Sequence, residues 1–239
     1  MNNNEFLKIL IKGFKKYTET GSNSTEKLKI IHGAIKIDLQ DLLITNNDLQ
    51  YGVIGMDTNG GKELKVAGRY ITDKSVDIAV IERNKYVGVL EFKFVMQNYS
   101  QNSNNYFENM LGQTANMKTC NIPCFQIFVS FENLPYFKDD GKISKIETLS
   151  EHNLEKYIML SKDNEELYFH SPNKTLLIIL KNDKIRSSIV GKTKKEYFDL
   201  FKSDFNIMYS DKRFNFGNLV IYNDYEKFIK KVVHKIKSI

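Results

Sequence analysis

Three side chains in the first half of the chain have the types and spacing for hydrolytic chemistry: Asp77 and then, after thirteen intervening residues, Glu91 and Lys93. The last two interrupt the apolar run Tyr86-Val87-Gly88-Val89-Leu90-Glu91-Phe92-Lys93-Phe94-Val95. Side chains alternate between the faces of a strand, so Glu91 and Lys93 share one face. A lone charge in such a run is strongly unfavourable, which leaves pairing, metal binding or a polar cleft as outlets. Asp77 is the only acid in Ser75-Val76-Asp77-Ile78-Ala79-Val80. Two converging carboxylates suit a hard divalent cation such as Mg²⁺, which takes oxygen ligands and keeps several waters. On a phosphodiester such an ion polarises an oxygen and neutralises developing charge, while Lys93 orients the attacking water. A structural ion pair is the alternative reading of the same charges.

The acids meet only in one register. A two-residue turn at Arg83-Asn84 sets Asp77 opposite Leu90 and points Glu91 away. A three-residue turn at Arg83-Asn84-Lys85, or one bulge, pairs Asp77 with Glu91. The site therefore predicts an odd turn or a bulge.

The elements that must hold these residues follow from periodicity. Phe6, Ile9, Leu10 and Phe14 recur at helical spacing before the break at Gly21 to Ser24. A second helix starts near Ser24, with Leu28, Ile31, Ile35, Leu39 and Leu42 on one face. Strands are expected at Tyr51 to Met56 and at Leu64 to Ala67, which pair across the Asn59-Gly60-Gly61 turn. Further strands are expected at Val76 to Ile81 and Tyr86 to Met96, the latter central and covered on both faces. After a polar loop from Gln97 come a helix, Ser103 to Thr119, and a buried strand, Cys124 to Phe131. Beyond Glu132 a strand is predicted at Thr175 to Leu180, with helices at Lys194 to Phe205 and Asp224 to Lys237. The expected class is α/β, divided as an N-terminal helix (1–23), a core (24–131) and a C-terminal α/β extension (132–239) packed on it.

Val76-Asp77 followed by Glu91-Phe92-Lys93 resembles the signature of the PD-(D/E)XK, or restriction-endonuclease-like, nucleases. Val76 stands where the family has its nominal proline. The resemblance spans Ser24 to Phe131 and implies an αβββαβ core with a mixed central sheet flanked by helices. It implies that Asp77, Glu91 and the Phe92 carbonyl hold Mg²⁺, for which Mn²⁺ substitutes, and that Lys93 serves the water. Many members add an acid from the first core helix, for which Glu26 is the candidate; an acid there is equally explained by the helix dipole. Gln113, on the helix after the catalytic strand, is the candidate for a polar contact to phosphate or metal water. With the chain's size, the resemblance implies a type II restriction endonuclease: a homodimer cutting double-stranded DNA at a short sequence, with a cognate DNA methyltransferase in the same system. The region 132–239 and the polar loop Gln97 to Asn105 then supply DNA contacts. A structure- or end-specific nuclease, and a non-catalytic DNA-binding protein on the same fold, are the alternatives.

Composition agrees with a globular chain that meets a polyanion: 239 residues, 41% hydrophobic, net charge +6. The abundance of Lys, Asn and Ile also fits codon bias in an AT-rich genome, so charge alone does not establish nucleic-acid binding. No apolar stretch approaches the ~20 residues of a membrane span, and Lys8 breaks the short run Phe6 to Ile11, so a cytoplasmic location is expected. Cys120 and Cys124 read as reduced thiols. Gly191-Lys192-Thr193 lacks the earlier glycine of a phosphate-binding loop, and His32, His152, His170 and His234 show no zinc-site spacing, so each is read as a packing or surface residue. Lys227, Lys230, Lys231, Lys235 and Lys237 either track phosphates or form a solvated helix face.

Overall fold

The computed structural model describes residues 1–44 and 50–238. Helix α1 (Asn3–Thr20) starts with a reciprocal cap, in which the Asn2 side chain accepts from the Glu5 amide at 3.0 Å and the Asn2 amide donates to Glu5 at 2.7 Å. It ends at Gly21, whose φ of 81° suits glycine. Its apolar stripe, Phe6, Leu10, Phe14 and Tyr17, is buried against α2 (Glu26–Leu43) and the C-terminal helix.

The remaining elements are β1 (Tyr51–Gly55), β2 (Leu64–Val66), β3 (Lys74–Val76), β4 (Ile78–Glu82), β5 (Lys85–Val95), α3 (Tyr99–Lys118), β6 (Cys124–Phe131), β7 (Asn133–Phe137), β8 (Ile143–Thr148), α4 (Glu151–Leu160), β9 (Lys174–Asn182), α5 (Lys194–Asp199), β10 (Ile207–Tyr209), β11 (Val220–Tyr222) and α6 (Tyr225–Lys237). Among the described residues, the main sheet has seven strands, in the order β1-β4-β5-β6-β9-β10, with β11 also on β9. It is mixed: β1, β4 and β5 are antiparallel neighbours, whereas β5, β6 and β9 run parallel. All eight residues of β6 are buried, as a strand covered on both faces requires. Helices α1, α2 and α6 pack together, with α2 against β1 and α6 against β9. Helix α3 packs on β6, where Phe107 of α3 and Phe128 of β6 both meet Tyr157 of α4. The protein is thus α/β, a mixed sheet flanked by helices. One hydrophobic core includes Phe14, Phe92, Phe131, Leu177 and Phe228, so it continues across residue 132.

Several expectations are corrected. The strand at Leu64 does not pair with Tyr51 to Met56; it pairs with β3 as a separate two-stranded sheet, and β1 takes β4 instead. The strand expected from Val76 to Ile81 is broken by a bend at Asp77. The polar loop Gln97 to Asn105 is helical from Tyr99, because Asn98, left-handed at φ 49°, makes the turn and hydrogen-bonds both backbone polar groups of Phe137 at 2.9 Å. Helix α5 stops at Asp199, short of Phe205.

Candidate active site

The register condition is met by a bulge. Arg83 and Asn84, at φ 45° and 67°, form a two-residue turn joining Glu82 to Lys85. Pairing then shifts between Val80 and Ile81: Ile81 faces Tyr86, but Val80 faces Gly88 and Ile78 faces Leu90. The extra residue, Val87, therefore brings Asp77 alongside Glu91. The Asp77 Oδ2 accepts the Phe92 amide at 2.7 Å, which ties its carboxylate to the strand that carries Glu91 and Lys93.

Burial, and then the negative charge of Asp77, push the Glu91 carboxyl well above its ordinary pKa, and the two carboxyl groups lie within hydrogen-bonding reach. Lys74 opposes that rise and Glu63 adds to it. Glu63 is itself raised, by burial and then by Asp77. Lys93 is an exposed residue, with Nζ 4.4 Å from the centroid of the Tyr106 ring. Surrounding protein lowers its pKa, and Asp77 partly restores it. Glu91, Lys93 and Gln113 line a cavity of about 200 Å³ between β5, β6 and α3, with Tyr106 and Asn109 on its helical wall.

The structure thus brings together Asp77, Glu91, Phe92, Lys93 and Gln113. Glu26 is engaged elsewhere: it pairs with Lys29 at 2.6 Å, and Lys29 holds its carboxyl below the ordinary range. Of the C-terminal lysines, Lys230 pairs with Glu226 at 2.7 Å, Lys235 pairs with Glu165 at 3.4 Å, and Lys237 donates to the Leu42 carbonyl at 3.3 Å. Lys227 and Lys231 line a larger cavity, about 750 Å³, beside β11. Cys120 and Cys124 are free thiols.

Two residues were not anticipated. His32 of α2 is fully buried, its Nδ1 lies 4.0 Å from the Asp77 Oδ1, and neither ring nitrogen has a hydrogen-bond partner. Burial depresses its pKa against the opposing pull of Asp77, which keeps the imidazole neutral. Its ring meets Phe92 edge-on at 5.4 Å. Gln126 of β6 lines the same cavity as Glu91 and Lys93.

The donor set suits a hard cation bound partly by water. Among the described residues no three His, Cys, Asp or Glu side chains converge into a ready cage. What converges is a carboxylate pair whose mutual repulsion Lys74 offsets only in part, beside a buried imidazole with orphaned nitrogens. Such an excess of acceptors is relieved by a cation. Among the described residues, no helix is long and apolar enough to cross a membrane. Comparisons with protein-family models, with curated proteins and with solved structures find no match to this chain.

Proposed function

We propose that the protein is a divalent-metal-dependent endodeoxyribonuclease of the PD-(D/E)XK type, acting on double-stranded DNA as a type II restriction endonuclease and working as a homodimer. The observation that carries this reading is the bulged hairpin, which puts Asp77 beside Glu91 with Lys93 two residues on. The order α2, β1, β4, β5, α3, β6, with antiparallel, antiparallel and parallel pairings, supports it as an αβββαβ arrangement.

In this reading Asp77, Glu91 and the Phe92 carbonyl hold Mg²⁺ or Mn²⁺. The ion supplies charge neutralisation at the phosphoryl oxygens and a lowered pKa for bound water. Asp77 does a second job through its bond to the Phe92 amide, which fixes the backbone between Glu91 and Lys93. Lys93, steadied over Tyr106, presents its ammonium to the attacking water and to the phosphate charge that grows in the transition state. Gln113 faces the same cavity and offers an amide to the phosphate or its water. Water adds to phosphorus and one P–O ester bond breaks, so one strand end keeps the phosphate and the other gains a hydroxyl. The formal charge of +6 favours approach to DNA.

The test is incubation with unmethylated phage or genomic DNA, with Mg²⁺ and with EDTA, followed by sequencing of the ends. Discrete metal-dependent fragments with common end sequences are expected, and Lys93→Ala should lower the rate by about 10²- to 10³-fold. Progressive loss from ends or junction-specific nicking would replace the restriction assignment, and DNA binding without cleavage under any divalent metal would replace the enzyme reading.

A further inference from the structure

Strand β6 reads Cys124-Phe125-Gln126-Ile127-Phe128-Val129-Ser130-Phe131, and a glutamine in its middle needs a reason. Gln126 is 7% exposed, and its Nε2 has no hydrogen-bond partner. A buried amide donor without an acceptor is costly, whereas Leu or Met would fill similar space at no such cost. Its location is specific. Parallel pairing sets Gln126 beside Glu91 of β5 on one side and Thr175 of β9 on the other. With Asp77 next to Glu91, a polar row of four residues, Asp77, Glu91, Gln126 and Thr175, crosses the middle of the sheet. The Thr175 hydroxyl is buried and also without a partner, but it does not reach the cavity; Gln126 does, sharing its wall with Glu91, Lys93 and Gln113.

We propose that Gln126 contacts the substrate, donating from Nε2 to a non-bridging oxygen of the phosphodiester seated beside Glu91 and Lys93. This rests on the nuclease reading above. A phosphodiester oxygen is an acceptor, and the orphaned amide is a donor fixed on a central strand rather than on a loop. Two carboxylates repel the phosphate at this spot, so a neutral, directional donor on the far side of Glu91 holds the group without disturbing the acids. Nε2 itself has almost no accessible surface, so the amide must turn about its last, soft torsion to present it to the cavity, a rotation that breaks no hydrogen bond of the nitrogen because it has none.

The experiment compares wild type with Gln126→Met and Gln126→Leu in single-turnover cleavage of a duplex in Mg²⁺, with DNA affinity measured in EDTA and thermal melts run alongside. Both variants are expected to lose about 10²-fold in cleavage rate. Affinity should fall by only about fivefold, the worth of one hydrogen bond, and Tm should be equal or higher, because the orphaned amide is gone. A purely structural glutamine gives the reverse pattern, a lower Tm with the rate preserved in the folded fraction. Met keeps the unbranched shape of Gln, so it decides the matter if the Leu variant fails to fold. Wild-type cleavage with variants equally fast overturns this inference alone, whereas a wild type that cleaves no DNA overturns the nuclease reading on which it rests.

Discussion

Replacing His32 by Leu should make the metal-free protein more stable and the enzyme slower. The neutral imidazole carries one donor and one acceptor. Both are buried without partners on a residue with 0% exposure. Each orphaned group costs about 1–3 kcal/mol, so the lower end alone gives a penalty of about 2 kcal/mol that Leu removes. Against this stands the edge-on contact with Phe92 at 5.4 Å. Losing it costs about 1 kcal/mol. The net gain of about 1 kcal/mol corresponds to a rise of roughly 2–4 °C in Tm for a chain of this size. Calorimetry in EDTA at pH 8, where burial keeps wild-type His32 neutral, reads this directly. Cleavage in Mg²⁺ should fall, by about tenfold, because Asp77 loses the polar neighbour that the fold retains at a cost. A Tm at or below that of wild type refutes the reasoning, since it would mean that the ring nitrogens are satisfied and His32 is ordinary packing.

Glu91→Gln should abolish cleavage yet raise the metal-free Tm at neutral pH. The folded pKa of Glu91 is raised, so wild type loses stability as pH climbs from the ordinary 4.5, where the carboxyl of the unfolded chain ionises, up to the folded value, and the advantage of the variant should vanish well below pH 4.5, where wild type is protonated in both states. An advantage that persists at low pH would show a cause other than charge. Asp57 behaves oppositely: bonds from Lys36 and the Gly61 amide hold its pKa near 2, against an ordinary 3.8. Its contribution is present above pH 3.8 and lost as pH falls toward 2, so Asp57→Asn should lower Tm at pH 7 but leave it unchanged near pH 2. Gly13→Ala tests the α1–α2 contact. An added Cβ would sit 2.5 Å from the Ile31 Cδ1, an overpacking worth about 1–3 kcal/mol, and a melt unaffected by the change would show that the helices have room to part.

What could be read from the chain depended on whether the signal was local. The polar interruption at Glu91 and Lys93 is a property of a short segment, and so is the apolar run of β6; both survive in the structure, whereas the strand expected through Asp77 is broken by a bend there. The pairing of β1 with β4 is not local, because β2 and β3 intervene and close on each other. Nor are the three-residue strands β10 and β11, whose order comes from pairing with β9 rather than from their own pattern. Helix α3 began early because the Asn98 side chain reaches β7, a contact that no window around residues 97–102 contains. His32 and Gln126 did leave a signal. His32 falls on the Leu28, Ile35, Leu39 stripe of α2, and Gln126 interrupts β6 as Glu91 interrupts β5. The test that singled out Glu91, a polar group where the pattern demands an apolar one, would have found both.

The bulge at Val87 also gives the hairpin one residue of slack, with an asymmetric effect on how its length can vary. If one residue were lost between the turn and Glu91, the strand could close to regular pairing and still set Asp77 against Glu91. Gaining a residue has no such outlet; it requires a second bulge or a longer turn, or the carboxylates emerge on opposite faces. Related chains with the same site should therefore shorten this interval by one residue more readily than they lengthen it.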